Sequence, residues 1–442
     1  MTDAQYPEVV QIAQRLIRFN TSNNGQVEPG TPIETEAARY VQGLLEEVGY
    51  QPEWIEVTPG RPNLVLRVPG QDRERPGLVL HGHLDVVPAV ASDWERDPFG
   101  GEIMAGADGE SVLWGRGAVD MKDMVAMIIA LLRDMARSGY KPARDLVVCF
   151  FADEEAGGYH GAQAVIRERP ELFEGCTQAV SEVGGYPAYV NGKRVYLIQT
   201  GEKGQIWYKL HARGKAGHGS QVNRDNAVTA MARALAAIGS EPWPVTLTPT
   251  VRALLEGVAE VTGLPFDVED PETLEALVEQ LGSAKAFVGA TLAVTSNPTQ
   301  MEGGYMVNVI PESASGGVDV RFLPGTGEDV RLRLKELADG VELEPLLDIE
   351  AIEADAQAPI MAAMEQALKE ADPDCIVLPY LLSAGTDNKH LAKLGIEGYG
   401  FVPVSLPPNF DFPAMFHAAN ERIPVQSLID GLSVLKRFIE LC

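Results

Sequence analysis

Residues 77–88 read GLVLHGHLDVVP. A glycine opens the run, three apolar residues follow, and His81, His83 and Asp85 come just before a proline. A short apolar run bounded by Gly and Pro reads as a buried strand, here over 77–81 with histidines and an acid at its C-terminal end. Residues two apart on extended backbone point the same way, so His83 and Asp85 face one crevice. In open α/β sheets, ligands bind in the crevice outside the C-terminal ends of the strands. A carboxylate beside a histidine fixes the imidazole tautomer and leaves the other nitrogen for a metal.

The flanking sequence supports such a sheet. Residues 63–68 (NLVLRV) and 145–152 (DLVVCFFA) are further short, β-rich apolar runs, and 6–18, 35–48 and 120–137 carry apolar residues at helical spacing. The last of these, DMKDMVAMIIALLRDMAR, opens on Asp120. Strands alternating with helices predict an α/β sheet covered on both faces. The pattern changes near residue 200: QTGEKGQ (199–205) reads as a linker, and IWYKLHAR (206–213) alternates like a half-exposed antiparallel strand. A helix at 225–238, strands at 290–296 and 315–322, a helix at 328–338 and a strand at about 341–350 then give the order of an α+β sandwich. The α/β character returns with helix 359–371, strand 375–379 and a closing helix at 425–441. The reading is therefore a discontinuous α/β domain, 1–199 and 354–442, interrupted by an inserted α+β domain at 200–353. Residues 240–290 are longer and more acidic than a minimal insertion needs, and the sequence assigns them no role beyond the entrance or a dimer interface.

Composition narrows the function. The 442 residues include 36 Lys and Arg against 63 Asp and Glu, a formal charge of −27, with 45% hydrophobic residues. An acidic surface of this kind repels phosphate backbones and anionic lipid, so nucleic-acid and membrane-surface partners are not expected. Cys149, Cys176, Cys375 and Cys442 are widely spaced and form no CxxC pair, which leaves a disulfide framework and a thiolate metal site unsupported. The start, MTDAQYPEVV, lacks a charged-then-apolar leader, and no apolar run is long enough to span a bilayer, so a cytoplasmic location is the expectation.

Four further groups match the first. Asp120 lies in GRGAVDMKD (115–123), where an Asp also reads as a helix N-cap. Asp153, Glu154 and Glu155 follow the run at 145–152, and adjacent carboxylates there are costly unless something positive neutralises them. Glu182 follows another short apolar run in AVSEVGG, and His417 lies in MFHAANERI. Histidine is scarce, with seven in the chain, so its placement carries information. Nitrogen and oxygen donors without thiolate suit a catalytic zinc pair better than a closed structural site.

The HxD of His83 and Asp85, the GRGxxDMK around Asp120, the DEE at 153–155 and the HxxNE that starts at His417 together resemble the dinuclear zinc metallopeptidases of clan MH. That family holds aminoacylase, glutamate carboxypeptidase and succinyl-diaminopimelate desuccinylase. The resemblance runs from about residue 60 to the C-terminus. It implies a mixed-sheet catalytic domain with an inserted ferredoxin-like lid and dimerisation domain, two Zn²⁺ ions (Co²⁺ or Mn²⁺ in their place), and a homodimer. His83 would bind one ion, oriented by Asp85, and Asp120 would bridge both. Glu182 would complete the first site, and Glu155 with His417 the second. Glu154 would stay unligated as general base, and His81 would serve packing. The peptide bond after Asp120 would be cis. His218 (GKAGHGS) would stabilise the oxyanion, often in the neighbouring subunit. Asn308 (MVNVIP) and Arg321 (VDVRFLPG) would approach substrate, Arg321 gripping a carboxylate, with Gly385 and Thr386 of SAGTDN beside it. Asp387 departs from what a carboxylate-contacting loop would carry.

The implied reaction is hydrolysis of an amide or peptide bond next to a free carboxylate, on a small peptide or N-acyl amino acid. Dipeptidase and biosynthetic deacylase activities share that chemistry. A non-catalytic binding protein on this fold is the remaining reading, and it is disfavoured because every expected position is filled.

Overall fold

A computed structural model of the chain describes residues 6–26, 30–106 and 109–442. Residues 1–5, half of the stretch on which the absence of a leader was read, lie outside them. Among the described residues no helix is long and apolar enough to cross a membrane.

The stretch 77–88 does form a central strand, Gly77–His83, and it runs two residues further than predicted, so His83 is its last residue. Its parallel neighbours are Leu146–Phe151 on one side and Cys176–Ser181 on the other, and Glu397–Gly400 runs parallel beyond the latter. Antiparallel strands Glu53–Thr58 and Arg61–Val68 close one edge. At the other edge Lys193–Glu202 pairs with Tyr186–Val190, Ile352–Glu353 and Ile376–Leu382. The sheet has ten strands in all.

Alternation explains why the central strands read as unbroken apolar runs. Leu78, Leu80, Val148 and Phe150 join the core that includes helix Lys122–Ser138. Val79, Val147, Cys149 and Phe151 join a second cluster with Val165 and Ile166 of helix Ala162–Glu168. Both faces are covered, as parallel strands require, and each such side chain contributes roughly 1.5–3 kcal/mol on burial.

A second, four-stranded antiparallel sheet has the order Thr295–Gly303, Ser313–Phe322, Gly204–Arg213, Glu342–Ile349. Helices Ala227–Gly239 and Gly327–Leu337 cover one face, through Met231, Leu235, Val330 and Leu334 against Ile206, Leu210, Val318 and Val320. Asn226 caps the first of these helices through Thr229.

Three readings change. QTGEKGQ is not a linker: residues 199–202 end the strand Lys193–Glu202, and Gln199, Thr200, Glu202 and Lys203 are fully buried. Asp120 does not cap the following helix, which begins at Lys122 after Met121; its carboxylate turns to two histidines instead. No strand occupies 290–294. Residues Gly289–Thr291 make a tight turn, with the Thr291 hydroxyl donating to Val288 O at 2.7 Å, and the strand begins at Thr295.

The middle of the span 200–353 holds helices Pro249–Thr262, Pro271–Glu279 and Lys285–Val288. Val251, Leu254, Leu255, Val258, Leu274 and Leu277 enter the core of the large sheet, with Pro249–Thr262 against Ile376–Leu382. The excursion closes on itself, as Thr246 N donates to Leu292 O at 2.8 Å. Lys203, between the two sheets, donates its ammonium to Ala290 O and Ala293 O at 2.7 and 2.8 Å.

Candidate metal centre and active site

The three adjacent parallel strands deliver their acids to one place. His83 ends the central strand, Glu154 and Glu155 follow one neighbour, and Glu182 follows the other. Asp120 reaches the same point from the loop before helix Lys122–Ser138, and His417 from the loop before strand Arg422–Pro424. His83 Nε2 lies 3.1 Å from Asp120 Oδ1 and 3.6 Å from Glu182 Oε2. His417 Nε2 lies 3.2 Å from Asp120 Oδ2 and 3.1 Å from Glu155 Oε2. The two oxygens of Asp120 therefore face two different sets. In each set, His83–Asp120–Glu182 and Asp120–Glu155–His417, the donor atoms lie within 4.8 Å of one another. Glu154 belongs to neither set, and its Oε2 is 4.0 Å from His83 Nε2.

The support around these residues is dense. His83 Nδ1 is 2.9 Å from the main-chain oxygen of Asp85 and 3.5 Å from its Oδ1. The Asp85 carboxylate accepts from Glu154 N, Glu155 N and Asn23 Nδ2, at 3.1, 3.2 and 2.9 Å, so one acid fixes both the histidine and the turn carrying the two glutamates. Glu421 is fully buried. It accepts from Gly117 N, Val119 N and Asp120 N at 3.0, 2.8 and 3.2 Å and pairs with Arg116 at 2.7 Å, which holds the loop bearing Asp120. The Asp120–Met121 peptide bond is cis. Asp153, Val183 and His417 adopt left-handed backbone at φ 68°, 58° and 57°, a conformation that costs energy for non-glycine residues and clusters where the surroundings fix it. His81 is buried, 2.9 Å from Asn388 Oδ1, with its ring against Phe151.

A family model described as peptidase family M20/M25/M40 matches residues 79–441. The chain belongs to that family. It is a metal-dependent hydrolase of peptide or N-acyl amino-acid bonds. Among its relatives, mouse aminoacylase-1 is 25% identical over 98% of this chain and 94% of its own length. A probable carboxypeptidase S-like 2 from Dictyostelium discoideum is 24% identical over 95% of this chain and 82% of its own. The fold is also that of the M20 family metallo-carboxypeptidase of Sulfolobus solfataricus (TM-score 0.72, 17% identity, 98% of this chain and 99% of that one). Human carnosine dipeptidase 1 shares it as well, with a TM-score of 0.66, 16% identity, and 98% and 95% covered.

The electrostatics of the M20 cluster fit divalent cations. Burial pushes the Glu182 carboxyl up to about 7. Burial and the neighbouring Glu182 push Glu154 well above the usual range. Burial likewise raises Glu155, with Asp120 adding to it. Asp120 runs the other way: burial opposes its charge, but hydrogen bonds from His417 and His83 hold it low. His417, bonded to Asp120 and Glu155, is raised to about 10. Nitrogen and carboxylate donors in two sets sharing one acid could hold metal.

A cavity of about 630 Å³ runs past Glu154, Glu155 and His417. Its other walls include Gln205, Trp207, Arg321, Leu347 and Ile349 from the uncovered face of the four-stranded sheet, and Gly385, Thr386, Asp387 and Lys389. Arg321, Gly385 and Thr386 therefore line one cavity together. His218 and Asn308 do not line this cavity. They lie together on a separate two-stranded ribbon, where His218 pairs with Val309 and Gly219 N donates to Asn308 O, and His218 is exposed. Sequence reading missed Asn23 and Trp207 altogether and gave Glu421 no role. Only the last carried a signal, as the acid of the HxxNE motif.

Proposed function

We propose that the two donor sets hold two zinc ions, with Co²⁺ or Mn²⁺ able to replace them, and that the enzyme hydrolyses an amide bond next to a free carboxylate. His83, Asp120 and Glu182 would form one site and Asp120, Glu155 and His417 the other. The observation that carries the reading is the pair of donor sets sharing Asp120 at the strand ends, with Glu154 beside them but in neither. Bound there, the ions polarise the scissile carbonyl and lower the pKa of an attacking water. Glu154 takes that water's proton on its carboxylate as the oxygen adds to the carbonyl carbon, then delivers it to the leaving nitrogen. Asp85 keeps Glu154 in place through the backbone and keeps His83 in one orientation. Arg321, Gly385 and Thr386 would face the substrate's carboxylate.

The span 200–353 would act as lid and dimerisation unit of a homodimer. His218 and Asn308, remote from this chain's cavity, would then complete the site of a second copy, His218 donating to the developing oxyanion. Aminoacylase and dipeptidase relatives support N-acyl amino acids and small peptides as the substrate class. The test is metal analysis of the purified protein together with hydrolysis of N-acetyl amino acids, dipeptides and longer peptides with free C-termini. Two equivalents of metal and turnover of at least one class are expected; a fully loaded protein inert toward all three would sink the reading.

A further inference from the structure

This cavity holds more donors than the motifs name, and Thr386 and part of Arg321 are already engaged. Arg321 gives Nε and Nη2 to the Asp319 carboxylate at 2.7 and 3.0 Å. Thr386 donates its N–H and its hydroxyl to Glu202, at 2.9 and 2.5 Å. Gln199 also donates to Glu202 at 2.9 Å, so the close hydrogen bonds to that buried acid come from neutral groups.

Lys389 differs from both. Its side chain is only 4% exposed, and it lines the cavity. Its ammonium has no hydrogen-bond partner among the described residues; its ion pair with Glu202 Oε2 spans 3.8 Å. A buried cation with unmet donors costs energy until an acceptor arrives. Gly385 shapes the approach: a Cβ there would lie 1.8 Å from Lys389 Nζ and 2.5 Å from Cε. The ammonium occupies the space that a side chain at 385 would fill, so a larger residue there would push the lysine's end aside.

We infer that Lys389 is the group that binds the substrate's carboxylate, on the amino-acid side of the cleaved bond, through the gap left by Gly385. The inference rests on the cavity being the substrate site. Arg321, which holds Asp319 through Nε and Nη2 and keeps its Nη1 donors, then acts beside Lys389 on the same carboxylate. Trp207, Leu347 and Ile349 line the same cavity. In cross-strand register Trp207 pairs with Leu347, and Gln205 with both Ile349 and Arg321. These side chains give a surface for a hydrocarbon group beside the carboxylate, so a leucine derivative is a suitable probe.

The experiment uses N-acetyl-L-leucine, N-acetyl-L-leucinamide and N-succinyl-L-leucinamide, which place the carboxylate on the amino-acid side, nowhere, and on the acyl side. Binding is measured by calorimetry on metal-free protein, and kcat and KM on the zinc-loaded enzyme. Wild type should prefer N-acetyl-L-leucine to its amide. Lys389→Met should weaken N-acetyl-L-leucine by roughly tenfold or more in Kd and KM, leave the amide unchanged, and alter kcat little. Lys389→Arg should recover most of the preference. Gly385→Ala, which keeps the charge but displaces the ammonium, should weaken the preference. The inference is overturned if wild type shows no acid preference, if Lys389→Met keeps it, if that variant weakens acid and amide alike, or if its effect follows the succinyl carboxylate. Because binding is read without metal, a protein that prefers the acid but cannot cleave it would sink the hydrolase reading and still decide this one.

Discussion

Glu154 is the residue whose loss should separate chemistry from assembly. Glu154→Gln keeps the shape and the backbone bond to Asp85, so metal content should hold while kcat falls about 10²–10⁴-fold, in the range for a general base; near-normal turnover by the loaded variant would contradict its role. Glu421 predicts the opposite pattern. Glu421→Ala strips the acceptor from three backbone N–H groups and leaves Arg116 buried without its partner, a loss of about 3–5 kcal/mol. Denaturant unfolding should show it, with weakened metal binding because the Asp120 loop is freed. The sequence made the first residue legible and not the second. Glu154 stands in a motif after a strand, where adjacent acids call for a cation. The partners of Glu421 lie some three hundred positions away, and no local pattern announces them. Glu202 lies 184 positions from Thr386 and was hidden in the same way, whereas Asp319, two residues from Arg321, stood in plain view and its pairing was not drawn.

Among elements, legibility followed burial. The strands at 77–83 and 146–151 could be read because both faces are apolar. Lys193–Glu202 could not, because it ends on Gln, Thr, Gly and Glu, whose side-chain hydrogen bonds run inside the fold to Thr250, Thr386 and each other. Strand Arg61–Val68 shows how such a polar intrusion is held. Arg61 is buried, giving Nε and Nη2 to Glu34 at 2.7 and 2.5 Å and Nη2 to Asp153 at 3.0 Å. Arg61→Leu leaves two buried acids without their cation and should cost about 3–5 kcal/mol. The expected sign is a drop in urea midpoint, with loss of activity following from the displaced 153–155 turn; an unchanged midpoint would show the pair to be dispensable.

For the whole molecule, two histidines held neutral by burial weaken folding in acid. Burial lowers His81 and His390 to about 4, against about 6.5 in an unfolded chain. Between those values the unfolded chain binds more protons, so this stability is complete above about pH 6.5, falls as pH drops below it, and is gone once pH has passed through about 4. Glu34, Glu182 and Glu421, pushed by burial up to about 7, pull the other way over this window, so the histidine contribution is read by difference: the urea midpoint of His390→Gln should gain on that of wild type as pH drops from 7 to 4.5. Chelation should lower Tm at neutral pH, since any ion bound only by the folded form stabilises it by mass action; an unchanged Tm after complete metal removal would count against a site built to hold one. The two-sheet plan was visible in the sequence as a change of pattern near residue 200. The fate of 249–288 was not, because an amphipathic helix does not say which sheet it will cover.

That helical excursion sets a rule for cutting the gene. Its two stalks touch at Thr246 and Leu292, so a chain spliced from one to the other keeps the four-stranded sheet's connectivity intact. The large sheet would lose its roof over Ile376–Leu382 in the same stroke. Conversely, a fragment spanning 204–349 carries into solvent a greasy helical face that has no partner within the fragment. The smaller sheet is therefore separable from this protein only with the excursion left behind on the other piece.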